Sequence, residues 1–282
     1  MAVVVVTDSS ARLPVPEAQK WGIRVVPLHI LVDGHDLRDG VDDVPDDLYT
    51  RGHVTTAGAT PAELGAVYRQ ALLDSGGDGV VAVHISGALS STLGAAEHAA
   101  GEFAGLVRVV DSKSAGMGTG FVALAAARSA DGGADLNEVV AQAESAGRGV
   151  RAYIVVHRLD NLRRSGRIGT AASWLGTALS LKPLLRIDEQ GQLVLLARVR
   201  TASKATAAMV EQVIEVVGEG RAALAVHHIA SPAAAADIAA TLAAALPGCG
   251  PAFVTDLGPV LGVHVGAGAV GVVVAVDTET DN

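Results

Sequence analysis

Short apolar runs alternate with polar loops and helix-like stretches through the first half of the chain. The continuous runs are typical of strands buried on both faces, and apolar residues three to four positions apart predict helices. Thr60 and Glu63 have the spacing of a capping box at one helix start. The predicted strands are residues 3–6, 25–32, 80–85 and 107–110. The predicted helices are residues 61–73, 91–100 and 120–130. Repeated strand–loop–helix units predict a parallel sheet flanked by helices.

The second half has a different pattern, in which a hairpin precedes longer helices. The hairpin is predicted from two apolar runs around the turn residues 189–191. The predicted strands are residues 154–156, 183–187, 193–199, 222–227, 252–255 and 270–276. The predicted helices are residues 158–164, 173–179, 205–217 and 232–246. We therefore expect two α/β domains, residues 1–150 with a mainly parallel sheet and residues 151–282 with a mixed or antiparallel sheet.

Composition narrows the class of protein. Half of the residues are hydrophobic but only 3% are aromatic, so the core must consist of Val, Leu, Ile and Ala. The single cysteine, Cys249, excludes a disulfide framework and a cysteine-based zinc site. The N-terminal residues lack the basic and apolar regions of a signal peptide, and the longest apolar runs are too short to span a bilayer. We expect a cytoplasmic protein without stable membrane insertion.

The charge distribution contains a local reversal of sign. Residues 158–204 hold nine Lys and Arg against three Asp and Glu, a net charge of +6, which leaves −15 for the rest of the chain. Ser165 and Gly166 lie between Arg164 and Arg167, and a glycine turn that holds guanidinium groups favours anion binding. A solvated arginine-rich face is the alternative. The acidic run at residues 36–47 is predicted to be solvated surface, with a helix that begins at residue 46.

Polar loops follow three of the predicted strands, at residues 7–10, 86–92 and 111–114. Ligands of parallel sheets bind at the carboxyl ends of the strands. The second loop is the richest, because Ser90, Ser91 and Thr92 lie next to the free backbone N–H groups of a helix start. This arrangement favours a carboxylate or another anion, and a simple helix cap is the alternative.

His264 lies in a glycine-rich stretch, residues 258–268, which is predicted to be a loop with a reachable imidazole. A buried core histidine is the alternative. The pair His227 and His228 has no carboxylate at ligand spacing, so we expect no metal.

Two other function classes use the same residues. A serine hydrolase would take Ser90 as nucleophile, His264 as base and Asp8 or Asp111 as the group that orients the base, but no nucleophile elbow is present. A nucleic-acid-binding module would use residues 158–204. The strongly negative remainder of the chain and the scarcity of aromatic residues for stacking disfavour it.

Taken in order, the motifs of the chain resemble those of the DegV family of fatty-acid-binding proteins. They are residues 7–10, 47–49, 89–92, 110–112, 162–168, 182–183, 200–205, 258–259 and 264–266. The resemblance implies two α/β domains with a long-chain fatty acid buried between them. Some members are binding subunits of bacterial fatty acid kinase and present the acyl carboxylate to a separate ATP-dependent subunit. The resemblance therefore implies that this chain is a carrier that is not catalytic alone and needs no cofactor.

The resemblance also implies residue roles. Ser90 and Thr56, together with Ser91 and His264, would bind the fatty acid carboxylate, and Arg167, Arg200 and His264 would face the kinase subunit and the transferring phosphoryl group. The chain departs from the family pattern at several of these motifs. The departures are Ala57, Gly58, Ala59, Ser91, Ser165 and Ala267.

Overall fold

The computed structural model describes residues 2–51, 53–168 and 182–276. Its strands are β1 (Val4–Asp8), β2 (Arg24–Val26), β3 (His29–Val32), β4 (His35–Arg38), β5 (Val54–Ala57), β6 (Val80–His84), β7 (Val107–Asp111), β8 (Val150–Val155), β9 (Lys182–Ile187), β10 (Leu193–Val199), β11 (Ala222–His228), β12 (Phe253–Asp256) and β13 (Val270–Val276). Its α-helices are α1 (Val15–Lys20), α2 (Pro61–Asp74), α3 (Thr92–Ala100), α4 (Met117–Asp131), α5 (Leu136–Gly149), α6 (Asp160–Arg164), α7 (Ala202–Val217), α8 (Pro232–Ala245) and α9 (Gly258–Val265). Short 3₁₀ turns lie at Ser9–Ala11, Leu48–Thr50 and Gly101–Phe103. The helix predicted over residues 173–179 lies outside the described residues.

The strands form three sheets. The first sheet is parallel throughout, in the order β2-β1-β6-β7. The second has the order β10-β9-β8-β13-β11-β12 and is antiparallel except for the pair β11–β12. A small antiparallel sheet has the order β4-β3-β5. The predicted fold class, a parallel sheet with flanking helices followed by a mixed sheet, is confirmed.

Helices cover both faces of each large sheet. Helices α2 and α3 pack on one face of the parallel sheet, and α7 and α8 pack on the outer face of the mixed sheet. Helices α4 and α5 lie between the two sheets and contact both. One hydrophobic cluster therefore joins Val83 of β6, Val122 of α4 and Val273 of β13. The predicted domain boundary at residue 150 falls where α5 meets β8, and it remains a prediction.

Helix α9 packs against elements of the first half of the chain. Val260 is buried in the hydrophobic cluster of the parallel sheet, together with Leu28 and Leu64. Gly262 lies so close to Tyr49 that an added Cβ would come within 2.5 Å of the Tyr49 ring. This contact fixes the position of α9, including His264 in its last turn.

The structure corrects four predictions. Residues 258–268 are not a loop, because residues 258–265 form α9. The strand predicted over residues 25–32 is broken at Pro27, which has no N–H to donate, and its two parts join different sheets. The acidic run is not all solvated surface, because Asp39 is only 3% exposed and accepts a 2.8 Å hydrogen bond from Ser9. The helix predicted to begin at residue 46 is only the 3₁₀ turn Leu48–Thr50.

Candidate functional site

A cavity of about 520 Å³ lies between the parallel and mixed sheets, beside α9. Its walls are mostly aliphatic, as the scarcity of aromatic residues in the sequence predicts. The aliphatic lining residues are Leu28, Ala57, Ala59, Ile85, Leu89, Ala95, Ala115, Ala152, Ile154, Leu162, Ile187, Leu193, Leu257, Val260, Leu261, Val265 and Val273. The volume is within the range of about 300–1,000 Å³ that is common for small-molecule sites. Such a wall suits an alkyl group.

Five polar residues that the sequence singled out also line this cavity. Each comes from a different place in the fold: β5, the loop after β6, the start of α3, the turn after α6, and α9. The residues are Thr56, Ser90, Ser91, Arg167 and His264. The fold makes Thr56 and His264 neighbours, although they are 208 positions apart in the sequence. The cavity combines aliphatic walls with a group of hydroxyl, imidazole and guanidinium groups.

A tight turn after β6 holds Ser90. The backbone N–H groups of Leu89 and Ser90 both donate to the Ser86 carbonyl at 3.0 Å. The Ser90 hydroxyl is 2.9 Å from Thr92 Oγ1 and accepts a 3.2 Å hydrogen bond from the Thr92 N–H. Ser91 occupies the N-cap position of α3 and makes no side-chain capping bond, and it is exposed. Ser90 therefore combines a capping role at α3 with a position on the cavity wall.

A buried chain of hydrogen bonds supports the start of the same loop. Asp8 Oδ2 accepts from the Ile85 N–H at 3.0 Å and lies 2.9 Å from His84 Nδ1. His84 Nε2 lies 2.8 Å from the Tyr68 hydroxyl, and all three side chains are fully buried. Burial alone would raise the pKa of Asp8, but hydrogen bonds from His84, Ser10 and Ile85 outweigh it and hold the pKa below its ordinary value. Asp8 is therefore an ionised anchor for the loop.

Thr56 and His264, which both line the cavity, are hydrogen-bonded to each other. Thr56 Oγ1 is 2.8 Å from His264 Nε2, and Thr56 is fixed by the pairing of β5 with Ile30 of β3. His264 Nδ1 is buried and has no hydrogen-bond partner among the described residues. Burial, with a smaller contribution from the positive charge of Arg167, lowers the pKa of His264 to about 4. The imidazole is neutral at physiological pH.

Arg167 lies in the turn that the sequence marked with Gly166, whose φ is +73°. Its Nε donates to the Leu89 carbonyl at 3.2 Å, and its Nη1 donates to the Ser165 carbonyl at 2.5 Å. The first of these bonds ties Arg167 to the loop that carries Ser90. Arg200, in contrast, is exposed and lies outside the cavity lining. The structure therefore brings Arg167 and His264 together and leaves Arg200 on the surface.

The contacts that a serine hydrolase needs are not among the hydrogen bonds of the described residues. Ser90 Oγ bonds Thr92, and His264 Nε2 bonds Thr56. Asp8 is paired with His84, and Asp111 Oδ1 accepts from the Lys113 N–H at 2.8 Å. Ser90 therefore has no hydrogen bond to His264 among the described residues.

Sequence reasoning missed the role of His227, which lines another part of the cavity. Its Nε2 accepts from the Met117 N–H at 2.9 Å, and its Nδ1 lies 2.9 Å from Thr255 Oγ1. Burial lowers the pKa of His227 to about 4. Because Met117 precedes His227 by 110 residues, no local pattern could reveal this contact between the start of α4 and the mixed sheet.

A second cleft, of about 640 Å³, shares Ala152 and Ile187 with the cavity. Eight charged residues line it, four of each sign, so it does not suit an alkyl chain. These residues are Asp111, Lys113, Glu144, Arg148, Arg151, Arg186, Asp188 and Glu189.

Within the described ranges, no three His, Cys, Asp or Glu side chains are grouped as a metal would require. No helix in this part of the chain is long and apolar enough to cross a membrane.

Comparison with known proteins agrees with the motif order. The DegV family, described as uncharacterised proteins, matches residues 2–277. The chain belongs to the DegV family. A DegV domain-containing protein of Mycobacterium tuberculosis is 62% identical over 276 residues, which cover 98% of each chain.

Solved DegV structures share the whole architecture. A DegV family protein from Thermus thermophilus, described by its fatty acid binding, has a TM-score of 0.92 and 33% identity, over 98% of this chain and all of its own. DegV from Bacillus subtilis, described as a fatty acid binding protein, has a TM-score of 0.88 and 29% identity over the same shares.

Proposed function

We propose that this chain binds a long-chain fatty acid in the cavity between its two sheets and presents the carboxylate to a separate ATP-dependent kinase subunit. The observation that carries the proposal is that one cavity has mostly aliphatic walls and is also lined by four polar residues, Thr56, Ser90, Arg167 and His264. The fatty acid binding of the Thermus thermophilus relative supports the ligand class.

The alkyl chain supplies the affinity. Burying about 14 methylenes of a C16 chain removes apolar surface worth about 11 kcal/mol, before the cost of association. The aliphatic walls make this burial favourable without any specific polar contact. The polar residues then determine which end of the ligand lies near α9.

The carboxylate needs hydrogen-bond donors when it leaves water. Hydroxyls of Thr56 and Ser90 supply them, and Ser91 adds a third hydroxyl at the rim. Arg167 contributes positive charge. Its Nε and Nη1 bond carbonyl oxygens, which hold the guanidinium group in place without neutralising it. The carboxylate is then held at the end of the cavity near the basic segment, where a partner subunit can reach it.

Arg200 is the clearest candidate for a partner contact. It is exposed, lies in the basic segment of residues 158–204, and takes no part in the cavity lining. A guanidinium group on that surface suits the phosphates of ATP or acidic groups of a kinase. Arg167 and His264 face the reacting carboxylate in this arrangement.

Mass spectrometry of organic extract from the purified chain tests the ligand. Co-purified long-chain fatty acid, or saturable binding of added palmitate, is the expected result. A chain that carries no lipid and does not bind palmitate would sink the proposal.

Reconstitution with a bacterial fatty acid kinase subunit and ATP tests the partner role. Arg200→Ala should keep its bound fatty acid and lose most acyl phosphate formation. Arg221→Ala is the matched control, because Arg221 is also exposed but lies outside the basic segment. Equal activity of both variants would contradict the role of Arg200.

A further inference from the structure

The second cleft, of about 640 Å³, is built by both halves of the chain. The end of β7 and its loop form one wall, and the last turn of α5 with the first residues of β8 forms another. The end of β9 and the turn after it form the third side. Apolar residues, among them Val110, Val150 and Ile187, share the lining with the charged ones. A concave site of this size and mixed lining suits a small molecule.

The charged side chains of this cleft are not paired with one another. None of the eight forms an ion pair with another charged group among the described residues. Elsewhere in this part of the chain even exposed charges pair, as Arg38 does with Asp42 and Arg158 does with Asp160. Unpaired charges of both signs in one concave site leave hydrogen-bonding capacity for a ligand.

Backbone groups hold three of these charged side chains in place. Asp111 Oδ1 accepts a hydrogen bond from the Lys113 N–H at 2.8 Å. Asp188 Oδ1 accepts from two N–H groups of its own turn, at 2.9 and 3.0 Å. Arg151 Nη1 donates to two carbonyls where α5 meets β8, at 2.7 and 2.8 Å. Side chains that are already fixed lose little conformational freedom when a ligand binds, which favours binding.

A buried hydroxyl adds an unused hydrogen-bonding group to the lining. Ser114 lines the cleft, is only 2% exposed, and its Oγ has no hydrogen-bond partner among the described residues. A buried hydroxyl without a partner is unfavourable, so a ligand acceptor that reached it would remove this cost. The oxygen of a carboxylate or phosphate is such an acceptor.

We propose that this cleft binds a dipolar small molecule, one that carries an ammonium group together with a carboxylate or a phosphate. A simple anion or cation would meet four charges of its own sign as well as four opposite ones, and repulsion would offset much of the attraction. A dipolar molecule can place each end beside charges of the opposite sign. Arg148 and Arg151, where α5 meets β8, suit the anionic end, and Asp188 and Glu189 in the turn suit the ammonium.

NMR titration of the ¹⁵N-labelled full-length chain tests the site with defined probes. O-phosphoethanolamine and glycylglycine are the dipolar probes, one with a phosphate and the other with a carboxylate. Inorganic phosphate and ethanolamine are the matched controls for the first probe, and N-acetylglycylglycine and glycylglycinamide are those for the second. Each control has charge of one sign only.

We expect at least one dipolar probe to shift the backbone amide signals of Lys113, Arg148 and Glu189 in a saturable way below about 10 mM. Its two controls should bind at least about tenfold more weakly, because each lacks one of the two charged ends. The absence of saturable shifts with both dipolar probes up to this concentration overturns the proposal. A control that binds as tightly as its dipolar probe also overturns it, because the site would then recognise a single charge.

Variants that remove one charge of each sign locate the probe. Arg148→Gln and Glu189→Gln change exposed positions, so both variants should keep the fold. Each should weaken the dipolar probe about tenfold, the effect of one lost hydrogen bond to a charged group. Arg221→Gln and Glu219→Gln are the matched controls, because both residues are exposed and lie outside the cleft lining, and they should bind like wild type. Equal affinity of all four variants would contradict the proposal.

Competition with palmitate separates this cleft from the aliphatic cavity. Ala152 and Ile187 line both, but none of the charged residues of the cleft lines the aliphatic cavity. An excess of palmitate should therefore not displace the dipolar probe. Competitive displacement would place the probe in the aliphatic cavity and would overturn the proposal. A chain that binds the dipolar probe but no palmitate would count against the proposed function alone.

Discussion

Ser90 and Ser91 are adjacent hydroxyls with different surroundings. Ser90 is half-buried and bonded to Thr92, whereas Ser91 is exposed and makes no capping bond. The binding free energy of a carboxylate falls more when a buried hydrogen-bond donor is removed than when an exposed donor is removed, because water can replace the exposed donor. The two serines therefore form a natural pair for measurement.

Ser90→Ala should weaken binding of a free fatty acid by about 1–3 kcal/mol through the lost hydrogen bond. Ser91→Ala should cost less than about 0.5 kcal/mol, as expected for an exposed position. Calorimetric titration with palmitate and with its methyl ester measures both, and the ester should bind both variants alike. An equal loss for the two variants with palmitate would remove Ser90 from the carboxylate site.

At this scale the sequence predicted the type of residue better than its contacts. Serine next to a helix start and histidine in a glycine-rich segment pointed to the cavity residues Ser90 and His264, whereas Thr56 followed only from the resemblance to the DegV family. The anchor between Asp8 and His84 was not predictable, because 76 residues separate the two side chains and neither lies in a pattern that marks the other. Contacts of this kind arise from strand order in the sheet.

Helix α9 illustrates how tertiary contacts decide the structure of an element. Four glycines around His264 predicted a loop, since glycine weakens helices by about 1 kcal/mol. In the folded chain, Gly262 lets the helix approach Tyr49 and Ile229, where no larger residue fits. Gly262, which argues against a helix locally, is required for the packing of α9.

Gly262→Ala should therefore destabilise the protein by about 1–3 kcal/mol and weaken fatty acid binding, because α9 carries His264. Gly94→Ala is the matched control in another helix, with no atom within 4 Å of the added Cβ. It should stabilise the protein by up to about 1 kcal/mol through helix propensity. Urea unfolding of both variants measures the difference, and a Gly262→Ala variant as stable as wild type would contradict the packing argument.

For the whole molecule, His227 joins α4 to the mixed sheet through its bond with the Met117 N–H. Burial, followed by smaller effects of Arg12 and His228, lowers its pKa from 6.5 to about 4. The unfolded chain thus takes up a proton near pH 6.5, and the folded chain resists this until near pH 4. Stability from this group is complete above pH 6.5 and falls as the pH is lowered toward 4.

The expected loss from His227 is on the order of 3 kcal/mol between pH 6.5 and 4. His264 contributes a similar dependence, so the two must be separated by mutation. His227→Gln, which does not titrate, should show a shallower fall in the free energy of unfolding over this range. Urea unfolding at several pH values provides the measurement, and an unchanged slope in the variant would rule out His227 as a source of acid sensitivity.

The large-scale fold was the most predictable level. Continuous apolar runs followed by helices gave the parallel sheet, and the turn residues around Gly191 gave the hairpin β9–β10. The small sheet was not predicted, because Pro27 interrupts what looks like one apolar strand and sends its two parts to different sheets. Periodicity identifies a strand but does not say which sheet receives it.

The shared layer of α4 and α5 has a consequence for how the chain can be assembled from pieces. A fragment of residues 1–149 would leave the side of α4 that contacts Val273 open to water, and a fragment of residues 150–282 would expose the matching face of the mixed sheet. We expect each fragment alone to aggregate or to bind a hydrophobic dye, and the two co-expressed fragments to form a stable complex. Cooperative unfolding of either fragment alone, seen by calorimetry, would contradict this. If the fragments behave as expected, the protein cannot complete its middle layer during synthesis until β13, its last described strand, has been made.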